Sequence, residues 1–279
     1  MEIFQEVLKK AENEGLMDPR IAAAMSGKKY QGWDLKKLRL PPILMNLPED
    51  VIHDLQKIME NIHQICELKS IQIIGFTSAI PNQGTSCVVT LLSLLMAARE
   101  KLSYETVDEQ INGKNGGNGK KAIRQGVLLI DGQLRHPSIH QKFGLSQSGG
   151  IMEVLENELS TNGLVKRIET SALKVVTTGV SNNFNLAQSH IEKLYTMLSN
   201  ARKRVRFIFI DLPPILAYSE GISLCHLCDS VILVIQASDS RWEVVKEARR
   251  LLDRAGVNLI GGILNRREYY IPGWIYKLV

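Results

Sequence analysis

The stretch that decides the fold is a short apolar strand that runs into a turn and then into an apolar helix. It reads Ile73-Ile74-Gly75-Phe76-Thr77-Ser78-Ala79-Ile80-Pro81-Asn82-Gln83-Gly84-Thr85-Ser86. Its β-branched start favours a strand, whereas Pro81, Asn82 and Gly84 are residue types that turns use. The apolar run that follows, Cys87 to Ala98, is too short to cross a bilayer. The segment therefore predicts a strand, a loop and a helix.

Similar patterns alternate along the rest of the chain. Short β-rich runs predict strands at Ile71–Phe76, Gly126–Asp131, Leu173–Thr177, Arg206–Asp211, Ser230–Gln236 and Leu259–Leu264. Helical patterns lie between them, at Ser86–Glu100, Gly150–Glu158, Ala187–Ala201, Tyr218–Cys228 and Arg241–Ala255. Because parallel strands need long crossover connections, this alternation predicts an α/β protein with a doubly wound, mostly parallel sheet.

The domain boundaries follow from changes in composition. An amphipathic pattern and a Lys-rich linker predict an N-terminal helical extension over residues 1–47, ahead of a main domain at residues 48–264. Inside that domain, the Gly- and Asn-rich stretch 101–125 predicts a mobile surface loop. Residues 265–279 form a tail that holds three of the seven tyrosines.

Composition and charge exclude several classes of protein. With 279 residues, 44% of them hydrophobic and 23% charged, the chain can bury a full core. The net charge of +5 is modest, and no basic face with a recognition helix or aromatic platform argues for nucleic acid. No secretory signal is recognisable, so a cytoplasmic location is expected. Cys225-His226-Leu227-Cys228 has no second ligand pair at a zinc-like spacing, so helix packing rather than zinc is expected.

The loop after the first strand matches a phosphate-binding pattern in part. Against G-x-x-x-x-G-K-[S/T], Gly84 and Ser86 match, whereas Ala79 and Thr85 stand at the first Gly and the Lys. Backbone N–H groups at a helix N-terminus still suit an anion. Phosphates of ATP or ADP are therefore expected at Asn82, Gln83, Gly84, Thr85, Ser86 and Cys87. Asn82 tolerates a positive φ, so the loop shape is expected to persist.

Two other apolar strands each end in an aspartate. Asp131 follows Val127-Leu128-Leu129-Ile130, and Asp211 follows Phe207-Ile208-Phe209-Ile210. Because the carboxyl ends of parallel strands share one edge of a sheet, both carboxylates are expected near the loop. Asp131, Asp211 and Ser86 are candidate ligands of Mg²⁺. The two aspartates are also the candidate catalytic residues.

These blocks, taken in order, resemble the tyrosine autokinases of bacterial capsule and exopolysaccharide synthesis. The resemblance covers roughly residues 48–279 and includes the segments Val127–Ser138, Phe207–Leu216 and Gly261–Asn265. It implies a P-loop fold related to the MinD and ParA ATPases, with ATP and clustered C-terminal tyrosines as substrates. It also implies self-association and an integral-membrane chain-length regulator or export protein as partner, at the inner membrane.

The sequence departs from that family at functional positions. Thr85 replaces the lysine that would bridge the β- and γ-phosphates, and Gln133 replaces the second aspartate of the D-x-D-x-R-x-P stretch. Asp50, His53 and Gln56 stand where the family has its E-x-x-R-x-x-R oligomerisation motif. Weakened binding of ATP and Mg²⁺ is expected.

Three functions are compatible with these residues. The preferred hypothesis is a catalytically impaired scaffold or regulator of polysaccharide assembly. The alternative is an active tyrosine autokinase in which Arg135 or a neighbouring chain replaces the lost lysine. A MinD- or ParA-like ATPase ranks last, because Ile80 occupies the position of that group's extra lysine.

The tyrosines of the tail have three interpretations. Tyr269, Tyr270 and Tyr276 are candidate phosphoacceptors. The same aromatic, basic segment also suits a membrane surface or a partner, since Trp and Tyr favour boundaries between water and apolar matter. Packing on its own domain is the third interpretation.

Overall fold

A computed structural model of the protein describes residues 47–112, 124–156, 163–168, 172–181, 186–237 and 240–266, with the backbone alone at 102–112. The predicted extension before residue 47 and the tyrosines of the tail lie outside these residues. Within the described part, no helix combines the length and the apolar character that a membrane span needs.

The described residues form seven helices and seven strands. In chain order they are α1 (Glu49–Lys69), β1 (Ile73–Ser78), α2 (Thr85–Asn112), β2 (Val127–Asp131), α3 (Ile139–Lys142), α4 (Ile151–Leu155), β3 (Lys166–Arg167), β4 (Leu173–Val176), α5 (Gln188–Arg202), β5 (Phe207–Asp211), α6 (Glu220–Cys225), β6 (Ser230–Gln236), α7 (Trp242–Arg254) and β7 (Leu259–Asn265).

The strands form one sheet in the order β3-β4-β2-β5-β1-β6-β7. Only the β3–β4 pair is antiparallel within the described sheet. The parallel pairs β2–β5 and β5–β1 bring the carboxyl ends of three strands to one edge. The predicted doubly wound, mostly parallel α/β fold is confirmed.

Helices cover both faces of this sheet. Helices α1 and α2 bury side chains such as Met59 and Leu92 against one face. Helices α4 to α7 bury Ile151, Leu198 and Leu252, among others, against the opposite face. Every residue of β1, β2 and β5 is therefore buried, which explains why these strands are continuous apolar runs rather than alternating ones.

The local boundaries differ from the predicted ones in four places. Helix α2 continues through Asn112, although a loop was predicted from Lys101, because no Gly or Pro interrupts the chain before Gly113. Strand β3 was not predicted, since two residues are too few to show a periodicity. The described parts of α4 and α6 are also shorter than their predicted helices.

Candidate functional site

The loop between β1 and α2 keeps the shape of a phosphate-binding turn. Asn82 has φ 65° and Gly84 has φ 81°, so both lie in the left-handed region. Asn is one of the few residues with a side chain that adopts this conformation readily. The predicted positive φ at Asn82 is confirmed.

The side chain of Gln83 fixes this loop to the far end of the chain. It is 2% exposed. Its Oε1 accepts hydrogen bonds from the N–H of Gln236, at 2.7 Å, and from the hydroxyl of Ser240. Its backbone carbonyl accepts one from Nδ2 of Asn265 at 2.9 Å. The sequence analysis did not predict a role for Gln236, Ser240 or Asn265. Their contacts with Gln83 span more than 150 positions, and no local sequence pattern indicates such contacts.

Gly84 is required at its position for two reasons. Its positive φ disfavours any residue with a Cβ. An added Cβ would also stand 2.3 Å from Nδ2 of Asn265. The same asparagine therefore holds the loop at Gln83 and limits the size of the next residue.

The two predicted carboxylates meet at the edge of the sheet beside the loop. Asp131 and Asp211 are paired in the β2–β5 register, and both are fully buried. Asp131 accepts hydrogen bonds from the N–H of Gln133 at 3.2 Å and from that of Ile139 at 3.0 Å. Burial nevertheless raises the pKa of Asp131, against the lowering effect of these donors.

Asp211 is less well satisfied than Asp131. Neither of its carboxylate oxygens accepts a hydrogen bond of ordinary geometry among the described residues. Burial raises the pKa of Asp211 well above its usual range, and the charge of Asp131 adds to the rise. The side chains of Ser86 and Gln133 oppose it only in part. This carboxylate therefore favours a proton or a cation.

The pair fits a magnesium ion in part. The two orphaned oxygens of Asp211 and the nearby hydroxyl of Ser86 are ligands of the kind that Mg²⁺ prefers. At Asp131, however, backbone N–H groups already use one lone pair on each oxygen. Gln133 is neutral, and its Nε2 donates to the carbonyl of Leu212 at 2.8 Å.

The position of the missing lysine is buried and uncharged. Thr85 is 5% exposed, and its Oγ1 has no hydrogen-bond partner among the described residues. A hydroxyl so close to its own backbone cannot extend to the terminal phosphates of a nucleotide as a lysine side chain does. The loop thus has the shape of a phosphate site without its side-chain cation.

The amide of Cys87 is already engaged within the helix. It donates to the carbonyl of Gly84 at 3.0 Å. The side chain of Cys87 is exposed. The residues from Asn82 to Ser86 remain the candidates for phosphate contact.

Arg135 contacts a different group from the one that the active-kinase hypothesis requires. Its Nε lies 2.5 Å from Oε1 of Glu220, a carboxylate that is itself 7% exposed. Its guanidinium also lies over the ring of Tyr218, 5.4 Å from the centroid. In this structure Arg135 links the segment after β2 to the segment after β5.

The three positions of α1 that correspond to the family's oligomerisation motif differ in solvent exposure. Asp50 and His53 are exposed, but Gln56 is 3% exposed. A third position that faces the core cannot contribute to a surface contact in the way that an exposed arginine would.

Two relatives show what the chain resembles. CapB of Staphylococcus aureus, which carries the name of a tyrosine-protein kinase, is 30% identical over 142 residues, 50% of this chain and 61% of CapB. The tyrosine-protein kinase YwqD of Bacillus subtilis is 28% identical over 204 residues, 72% of this chain and 74% of YwqD. No family model matches the chain.

A solved structure agrees with the sequence comparison. The kinase domain of VpsO superposes with a TM-score of 0.59 at 29% sequence identity, over 79% of this chain and 98% of that domain. The chain spans less than two thirds of CapB, so what CapB does as a whole protein does not transfer directly. By sequence and by fold, the chain is a homologue of bacterial tyrosine-protein kinases such as CapB and YwqD and of the kinase domain of VpsO.

Proposed function

We propose that this protein is a catalytically impaired, tyrosine-kinase-like scaffold or regulator of capsule or exopolysaccharide synthesis. The observation that carries the proposal is Thr85, a buried, uncharged residue at the position of the P-loop lysine. It stands in a loop that keeps left-handed residues at Asn82 and Gly84, on the sheet edge where the buried Asp131 and Asp211 meet. A preserved scaffold with a depleted catalytic centre suits a binding role better than phosphoryl transfer.

The missing ammonium affects the chemical step most. Phosphoryl transfer depends on positioned cations that stabilise charge as it spreads over the transferred group. Removing one preorganised transition-state donor in an enzyme costs on the order of 10² to 10³ in kcat. The loss of a full positive charge from this site is expected to be at least as severe.

Weak nucleotide binding is compatible with the same geometry. Backbone N–H groups between Asn82 and Ser86 would hold the phosphates, and Asp211, with Ser86 and Asp131, would hold Mg²⁺. When bound, the ion would neutralise part of the phosphate charge. Asp211 itself supplies a carboxylate whose raised pKa falls when a cation approaches.

The partner in this proposal is an integral-membrane chain-length regulator or export protein. Its support is the likeness to bacterial tyrosine-protein kinases such as CapB and YwqD. The protein would act at the cytoplasmic face of the membrane. Contacts between copies through α1 would differ from those of the active kinases, since Gln56 is buried.

Isothermal titration with ATP and ADP, with and without Mg²⁺, tests the proposal when combined with a phosphotyrosine blot. The wild-type protein is expected to bind nucleotide weakly and to leave Tyr269, Tyr270 and Tyr276 unmodified. The variant Thr85→Lys is expected to bind ATP more tightly, since it restores the ammonium. Thr85→Met is the matched control, with a side chain of similar length and no charge.

Two results would overturn this function. Micromolar, Mg²⁺-dependent ATP binding by the wild-type protein, together with phosphorylated tyrosines, would identify an active autokinase with an unconventional loop. Equal gains of affinity in Thr85→Lys and Thr85→Met would show that charge at this position is not what limits binding.

A further inference from the structure

The edge of the sheet opposite the P-loop carries a group of exposed basic residues. Lys69 ends α1, Arg124 precedes β2, and Lys203 and Arg204 form the turn before β5; all four side chains are exposed. Leu68, next to Lys69, is an apolar side chain that is 64% exposed. These five residues are called the basic edge below.

A buried glutamine brings the parts of the basic edge together. Nε2 of Gln72, the residue just before β1, donates to the carbonyls of Arg202 at 2.8 Å and Val205 at 2.7 Å. Its Oε1 accepts a hydrogen bond from Nη1 of Arg124 at 3.3 Å. Ser70, which follows α1 and turns the chain toward β1, has φ 55°. Three separate segments are thus fixed at one edge.

The carboxylates near this edge form ion pairs with arginines that are not part of the basic edge. Asp229 pairs with Arg202 and also accepts two backbone N–H groups. Glu67 lies 2.7 Å from Arg206, which also contacts the buried Glu100 at 3.2 Å. Within the described residues, the two lysines of the basic edge have no carboxylate at ion-pair distance. The edge therefore presents an excess of positive charge.

We propose that the basic edge docks this protein on an anionic lipid surface, an inference that rests on the membrane setting of the proposed function. Clustered lysines and arginines attract anionic headgroups within a Debye length. Leu68 adds an apolar side chain among the cations, a combination that suits the boundary between headgroups and acyl chains. A nucleic acid would find no aromatic stacking platform at this edge.

This docking mode fixes the direction in which the P-loop faces. The basic edge lies where β1, β2 and β5 begin, whereas the P-loop and the two aspartates lie where these strands end. A bilayer against the basic edge therefore leaves the P-loop edge pointing away from the membrane and open to a partner.

Co-sedimentation of the full chain with vesicles tests the proposal. Vesicles of phosphatidylcholine with and without phosphatidylglycerol are compared at low and high salt. Each neutralised basic residue is expected to lower the partition coefficient about fivefold, so Lys203→Gln with Arg204→Gln lowers it about 25-fold. Arg241→Gln with Lys246→Gln removes the same charge from exposed sites at the start of α7 and is expected to change binding little.

Three outcomes would overturn the proposal. They are no binding of the wild-type protein to anionic vesicles, an equal loss in the two double variants, or binding that salt does not weaken. Loss of affinity for an oligonucleotide or an acidic protein, with vesicle binding unchanged, would assign the edge to that other partner. Because lipid binding is read without nucleotide, its failure would leave the titrations with ATP as a separate test of the proposed function.

Discussion

The substitution Asp211→Asn is expected to stabilise this protein, and increasingly so as the pH rises. Asp211 is fully buried, has no hydrogen-bond partner of ordinary geometry among the described residues, and lies beside Asp131. A buried charge without compensation costs about 3 kcal/mol. An asparagine amide in the same place has its own unsatisfied groups, which cost about 1 kcal/mol. The net gain is about 2 kcal/mol at alkaline pH.

The sign of the pH dependence follows from the raised pKa of Asp211. In acid, below about pH 4, the carboxyl is protonated in both the folded and the unfolded chain, so the variant and the wild type differ little. As the pH rises from the pKa of the unfolded chain, about 3.9, to that of the folded state, about 8, the wild-type protein loses stability, since only the unfolded chain is ionised in this window. The variant has no such group at this position.

Thermal unfolding in the presence of a chelator, from pH 4 to pH 9, measures this effect. The variant is expected to melt roughly 5 °C above the wild type at alkaline pH, with the gap closing in acid. Asp229→Asn is the matched control, because the pKa of Asp229 is lowered by Arg202 and two backbone N–H groups. That change is expected to destabilise at neutral pH, with the loss vanishing as the pH falls. A lower melting temperature for Asp211→Asn at pH 8 would refute the reasoning.

Three further predictions concern other parts of the fold. Gly84→Ala is expected to weaken anion binding and to lower the free energy of unfolding by about 1 kcal/mol or more. The reason is that alanine strains the positive φ and its Cβ meets the side-chain amide of Asn265. Calorimetry and titration with inorganic phosphate measure these effects, and no change in either would show that the loop has an alternative conformation. Arg206→Met is expected to lower the free energy of unfolding by about 2 kcal/mol, since it removes the arginine 3.2 Å from the buried carboxylate of Glu100 and leaves Arg99 at 3.8 Å; an unchanged denaturation midpoint would contradict this. Cys87 is expected to react first with a thiol reagent, because burial raises the pKa of the other three thiols; rapid labelling of four thiols in the native protein would exclude it.

The order of elements was predictable because it depends on local patterns. Apolar runs such as Phe207–Ile210, covered by helices on both faces, mark parallel strands, and an aspartate at the end of such a run marks the carboxyl edge. Asn82 was predictable for a related reason, since its left-handed conformation is a property of the residue itself.

Contacts between distant segments were not predictable from one sequence. The hydrogen bonds from Gln236, Ser240 and Asn265 join Gln83 to the end of β6, to the loop after it and to the end of β7, which only the folded sheet brings together. Whether a buried carboxylate receives hydrogen bonds also depends on contacts between distant segments. Asp131 and Asp211 look alike in sequence, yet of the two only Asp131 receives backbone N–H donors from the part of the chain that the structure describes.

The attachment of the P-loop to Asn265 has a consequence for synthesis on the ribosome. Strand β1 emerges early, but the residues that hold its loop follow it by 153 to 182 positions. A nascent chain therefore carries β1 and α2 while more than 150 further residues are added, before Gln83 acquires its partners. Such long-range closure is slow, so the P-loop acquires its final geometry among the last parts of the domain, after β7 has left the exit tunnel.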